Sequence, residues 1–229
     1  MRKETEILPT RTGATNDRRN AESPIDSLQG EVRQTWTKRQ KGILQAARKV
    51  LIEDGYGKFS MRQVAKCAGI HLKTLQHHFG SRETLLSEAM SYTLDEHYLA
   101  MYDEIDGSIS HLQPEKALSW VIAFLIEDCR EMETDLFFLE FWALAARDPY
   151  ACAALDNFYV RHRHRVANLI ARANSSLSAR TVELRAAVIA EQIEGLVMFI
   201  GHNKPKHPEM DGLEEEVHRQ IMSYALAPE

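Results

Sequence analysis

AGIHLKTLQHHFGSRETLL, residues 68–86, is the stretch on which the fold turns. Gly69 stands between two short runs of helical period, with the small residue Ala65 one turn before it and the apolar residues Val64, Ile70 and Leu75 around it. Small residues at that spacing let two helices cross closely at a sharp turn, which is the spacing of a helix-turn-helix. A helix from about Leu72 to Phe79 then turns Leu75 and Phe79 towards a core and presents Lys73, Thr74, Gln76, His77 and His78 outward. Gln and Thr side chains bond base edges, while Lys, His and Arg bond phosphate or guanine.

Upstream, Trp36, Ile43, Leu44, Ala47, Val50 and Leu51 trace one helical face, which Asp54-Gly55 brings to a left-handed stop. Ser60 and Gln63 form a capping box, so a short helix is expected from Met61 to about Ala68. Downstream, Gly80 closes the outward-facing helix, and Ser81 caps a long one carrying Leu85, Leu86, Ala89 and Met90. Five more helical stretches follow, with breaks expected at Gly107, Gln113-Pro114, Asp148-Pro149, 174–178 and 201–212. No stretch alternates with strand period, so the fold class is all-α, with about nine helices.

The chain of 229 residues carries a net charge of −5, distributed unevenly. Residues 31–82 hold a net +8 and residues 83–229 a net −13, which suits a module that docks on a polyanion beneath a body that stays off it. Three parts are therefore expected: a flexible arm at 1–30, a helix-turn-helix domain at 31–82, and a helical effector-binding and dimerisation domain at 83–229. The arm is polar, has no apolar period, and contains Arg18 and Arg19, which could reach a DNA groove. Cys67, Cys129 and Cys152 are far apart and in no metal-ligand spacing, so neither a disulfide nor a metal is expected. No apolar run approaches the roughly 18 residues of a membrane span, and no secretory leader is visible, so the expected compartment is the cytoplasm. Gly-rich phosphate loops and nucleophile motifs are also missing, which argues against an enzyme or a cofactor.

The residues from Gly42 to Met90, above all the quoted run, resemble the DNA-binding domain of the tetracycline-repressor (TetR) family. The resemblance implies a homodimeric, ligand-released repressor of double-stranded operator DNA, with base or phosphate contacts from Thr74, His78, Ser81 and Arg82. Lys38 and Arg62 add candidate phosphate contacts. Departures occur at His71, Lys73 and Gln76, where family members usually carry Ser, Gly and Tyr, so the usual operator geometry does not transfer in detail.

In the acidic body, the run LFFLEFWALAA from Leu136 to Ala146 is interrupted only by Glu140. Glu140 either lies in a pocket walled by Trp120, Phe124, Phe137, Phe141, Trp142 and Phe158, suited to an amine or quaternary ammonium effector, or pairs with an arginine of a neighbouring helix or reaches solvent at the helix edge. The stretch from Phe138 to Tyr224, with FWALAARDPY and IEGLVMFIG, loosely resembles the sensor domain of choline-responsive betaine-synthesis regulators within the same family. The cluster from Arg161 to Arg165 reads as a solvated face with ion pairs to acidic neighbours, and its two histidines do not share a helix face as a metal site would require. Towards the C-terminus, Ile189, Ile193, Leu196, Ile200, Val217 and Ile221 make the apolar stripes expected to form a four-helix dimer interface. The competing reading keeps the DNA-binding end but gives the body a protein partner in place of a small ligand.

Overall fold

A computed structural model describes residues 35–229; the expected arm at 1–30 lies outside them. The described residues are all-α. Thr37 opens the first helix, α1 (Lys38–Asp54), with a full capping box: its hydroxyl accepts from the Gln40 amide, and its own amide donates to the Gln40 side chain. Gly55 ends α1 at φ +74°. A 3-10 turn (Tyr56–Lys58) leads to α2 (Met61–Cys67), capped by Ser60. Here the box expected of Ser60 and Gln63 is only half formed, because Gln63 directs its side-chain amide to Asp54 at 3.4 Å. Helix α3 (Leu72–Phe79) follows across Gly69, whose φ of +66° suits the tight turn, and Ser81 caps α4 (Arg82–Tyr92).

A break was expected at Gly107, but that glycine lies inside a helix. From α4 the chain runs through a π-helical turn (Thr93–Tyr98) straight into α5 (Leu99–Ile109), forming one long rod. Thr93 donates its hydroxyl to the Ala89 carbonyl at 2.8 Å where the wide turn begins. An isolated glycine costs a helix only about 1 kcal/mol, which the buried flanks Ile105 and Ile109 outweigh.

The body is completed by α6 (Pro114–Asp128), α7 (Met132–Ala145), α8 (Pro149–Ala173), α9 (Ala179–Ile200) and α10 (Leu213–Leu226). Helix α8 packs against α6, α7 and α9, so it is the axis of the body. Phe137, Phe141, Leu118, Ile122 and Ile170 are fully enclosed around it. Arg185 is buried on α9, where its guanidinium donates to the carbonyls of Ala225, Ala227 and Pro228, capping the C-terminal end of α10 with positive charge.

Helix α1 joins α2 to the body through α4 and α7. Trp36 donates to Glu88 at 2.6 Å and Lys41 pairs with Glu96, both on the long rod, while Arg48 pairs with Glu133 of α7 at 2.7 Å.

Candidate nucleic-acid interface and sensor site

Leu75, fully buried, and Phe79 anchor α3 to the core, so the helix cannot roll, and its opposite face carries Lys73, Gln76 and His77 into solvent. Thr74 and His78 are half-buried at the margin of that face. Lys38, Arg62 and Ser81 are also exposed, and Ser81 uses its hydroxyl to accept from the Thr84 amide at 3.0 Å. Arg82 is placed otherwise. Its guanidinium donates to the carbonyls of Phe59 and Tyr56 at 3.0 and 3.2 Å and lies over the Tyr56 ring, so it holds the turn between α1 and α2. That use of its donors departs from a free phosphate contact.

The residues expected to wall one effector pocket fall into separate places. Trp120 is 42% exposed and stacks on Phe124 at 5.7 Å, beside a cleft of about 520 Å³ between α6 and α10. Phe137, Phe141 and Phe158 are instead buried in the core. Glu140 reaches α1: a Cβ added at Gly55 would sit 3.0 Å from its Oε1. Trp120 is exposed on α6 with Phe124 half-buried beside it, while Phe137, Phe141 and Phe158 of α7 and α8 are enclosed in the core, so these residues do not line one wall.

A polar group lies inside the body, and of its members the sequence had pointed only to Trp142. Trp142 Nε1 donates to the Tyr159 hydroxyl at 2.8 Å, and that hydroxyl donates to Glu194 of α9 at 3.0 Å. Burial, opposed by the Tyr159 hydrogen bond and reinforced by the nearby Asp128 charge, pushes Glu194 up to about 7. Asp128 accepts from Thr134 at 3.3 Å and is itself pushed up by burial to about 6.

His162, 2% exposed, shares a hydrogen bond of 2.5 Å with Tyr102 through Nδ1 and leaves Nε2 without a partner. Burial, with Arg163 and Arg165 nearby, pushes its pKa down to about 4, so it is neutral at pH 7. The cluster from Arg161 to Arg165 is thus not a plain solvated face. Arg161 and Arg165 tie α8 to the rod through Asp95 and Asp103, at 2.9 and 2.7 Å, while His162 points inward. The spacing of Leu155, Phe158, His162, Val166 and Leu169 was the signal for that burial. No comparable signal marks Glu194, whose neighbours Glu191 and Gln192 are exposed.

The stripes expected at a dimer interface also need correction. Ile189, Ile193, Leu196 and Ile221 are between 0 and 5% exposed within this chain, and Ile200 and Val217 are half-buried, because the stripe closes the core of its own subunit. The apolar side chains left outside are Leu184, Met198 and Phe199 of α9 and Tyr224 of α10, with Phe199 60% exposed.

Residues 43–89 match the family model of bacterial regulatory proteins of the tetR family. The chain is 29% identical over 138 residues to the HTH-type transcriptional regulator UidR of Escherichia coli, a match covering 58% of this chain and 63% of that protein, hence under two thirds of the relative's length. Among solved structures, a TetR transcription regulator from Haloarcula marismortui has a TM-score of 0.64 at 16% identity, covering 83% of this chain and 97% of that one. A transcriptional regulator from Saccharomonospora viridis in complex with choline has a TM-score of 0.61 at 14% identity, covering 82% and 96%. These two structures are alike in fold.

Proposed function

Because residues 43–89 match the family model of bacterial regulatory proteins of the tetR family, we propose that the chain is a homodimeric, sequence-specific DNA-binding transcriptional regulator that leaves its operator when a small ligand binds the body. One observation carries this reading: α3 is fixed by Leu75 and Phe79 and offers Lys73, Gln76 and His77 as a free polar face, the arrangement a major-groove helix requires. Residues 31–82 are the DNA-binding part and residues 83–229 the sensing and pairing part, working in the cytoplasm, where the operator is.

Pairing through Leu184, Met198, Phe199 and Tyr224 sets two α3 helices one groove apart. Ligand release requires two arrangements that bind the ligand unequally. Helix α7 is the element that connects them, since it faces the core on one side and reaches α1 through Glu133–Arg48 and Glu140–Gly55 on the other.

The test is selection of bound genomic fragments with the full chain, followed by affinity on the enriched site as salt is raised. Log K should fall by about 0.9 for each phosphate neutralised. Failure to enrich any sequence, or affinity that ignores salt, overturns the reading. The exposed Trp120–Phe124 stack favours a second reading in which the body docks a protein. Under that reading Trp120→Ala abolishes regulation in cells while leaving purified operator binding and ligand release intact.

A further inference from the structure

The described clefts on the body differ in the sign of their walls. Counting lysine and arginine against acids, the cleft between α6 and α10 sets one cation against three acids, and the cleft lined by the loop at 201–212 sets three against four. A third cleft, of about 680 Å³ between α5 and α8, has Arg165 and Arg172 in its wall against Asp106 alone. That volume is in the range that holds a small organic molecule. A cationic wall stands out where residues 83–229 carry a net −13, and it suits a negative occupant.

Arg165, Asn168, Leu169 and Arg172 follow one face of α8 along this cleft. The Arg165 guanidinium is held over the Tyr102 ring at 5.0 Å, and its Nη2 donates to Asp103 at 2.7 Å. Its Nη1 is buried and makes no hydrogen bond, for Asp106 Oδ2 stands 3.5 Å away and meets it through charge alone. A buried donor left in that state is costly. Arg172 is exposed and has no acid among the described ion pairs. Asn168 gives one amide proton to His164 at 3.2 Å and keeps the other. The donors facing the cleft come from α8, because Ser110 at the end of α5 gives its hydroxyl proton to the Gly107 carbonyl at 2.8 Å.

We propose that Arg165 Nη1 and Arg172, with Asn168 between them, bind the carboxylate of a small organic acid, and that this anion is a class of effector the body senses. The inference rests on the reading of the body as a ligand sensor. Planar guanidinium donors match the two oxygens of a carboxylate, and Leu169 and Ala171 meet the carbon skeleton. A carboxylate in this place takes the donor that Asp106 leaves unfilled and repels Asp106 itself, while Asp103 keeps its bond. Asp106 belongs to α5, which runs back through the π-helical turn into α4, and along that rod Glu96 and Glu88 hold Lys41 and Trp36 of the α1 region. Binding therefore loosens the far end of the rod that holds α1, a second connection beside that of α7.

The experiment uses the full chain with benzoate, its neutral isostere benzamide, and phenyl phosphate, each followed by calorimetry. Benzoate binds saturably, and benzamide binds at least tenfold more weakly. Phenyl phosphate binds no tighter than benzoate; tighter binding would make the anion a phosphate and overturn the carboxylate assignment. Arg172→Gln weakens benzoate by tenfold or more with its melting transition retained, since the side chain holds no acid in the fold. Asp106→Asn tightens benzoate at least threefold, because a competing carboxylate is gone, and an arginine cluster with a purely structural role gives no such gain. Equal binding of benzoate and benzamide, no binding of benzoate up to millimolar concentration, or variants that both bind it unchanged each overturns the site.

Retention of operator DNA is scored on the same samples. Benzoate that binds with the expected variant pattern and leaves the DNA complex untouched overturns the sensing role. DNA released by other solutes without benzoate binding overturns the site and leaves the reading of the body as a sensor standing. A chain that enriches no operator overturns the sensing role together with the DNA reading, while the site is still judged by calorimetry.

Discussion

Arg82 shows how a charge can be spent inside a fold when its family position suggests a ligand. Three of its contacts go to Tyr56 and Phe59, so Arg82→Ala should lower stability by about 1–2 kcal/mol in urea unfolding, and Arg82→Lys should not restore it, because an ammonium cannot span both carbonyls. A loss of DNA affinity with no loss of stability would return Arg82 to the phosphates. Gln76 is the opposite case: exposed and without a described partner in the fold, it should leave stability within about 0.5 kcal/mol when changed to Ala. Its removal should cost about 1–3 kcal/mol on the selected operator alone, read by comparing specific with non-specific fragments.

His162 gives the acid limb of the stability profile. Its folded pKa of about 4 lies below the ordinary histidine value of about 6.5, so on acidification the unfolded chain takes up the proton first. Its contribution is therefore full above pH 6.5 and is lost as pH falls from there to 4. His162→Gln should flatten that limb in urea titrations run at successive pH values. Glu194 acts with the reverse sign: its raised pKa means it penalises the fold above pH 7, and the penalty fades as pH falls towards the ordinary carboxyl value.

At the scale of elements, α1 meets α7 where Gly55 and Glu140 nearly touch. Gly55 has φ +74° and ψ 167°, a region essentially reserved for glycine, and an added Cβ would also press on the Glu140 carboxylate. Gly55→Ala should cost about 1–3 kcal/mol, measured by thermal or urea unfolding, and adding Glu140→Ala should recover only the part due to crowding.

The bounds of α3 were legible because Gly69, Gly80 and Ser81 mark them in the chain itself. The π-helical turn at Thr93–Tyr98 and the break between Asp128 and Met132 carry no Gly or Pro, so only packing decides them. The same holds for the sites. The exposed face of α3 follows from helical period once Leu75 and Phe79 are assigned inward. Which acid among Glu140 and Glu194 is buried with aromatic rings depends on how α7, α8 and α9 meet, and no local pattern encodes that.

For the whole molecule, the charge division between residues 31–82 and 83–229 keeps repulsion of the acidic body directed away from DNA. The apolar stripe through Ile193 was expected to face a partner subunit, but α9 is apolar on two sides, and that stripe closes the core while Leu184, Met198 and Phe199 remain outside. The outside residues now separate two outcomes. Phe199→Glu should yield a folded monomer by sedimentation with operator affinity reduced at least tenfold, because each half-site is then bound alone. Ile193→Glu should instead unfold the chain, as an unpaired charge would enter the core. A dimeric Phe199→Glu chain would place pairing elsewhere.

The anchoring of α3 by Leu75 and Phe79, with Leu72 packed beside them, has a consequence for evolution. The side chains proposed to select DNA, Lys73, Gln76 and His77, are exposed and bear little of the weight of the fold, so on that reading lineages can drift to new operators without passing through unstable ancestors. A library randomised at those three positions should keep nearly every member folded while scattering sequence preference, whereas one randomised at Leu75 and Phe79 should lose most members to proteolysis before any preference can be read.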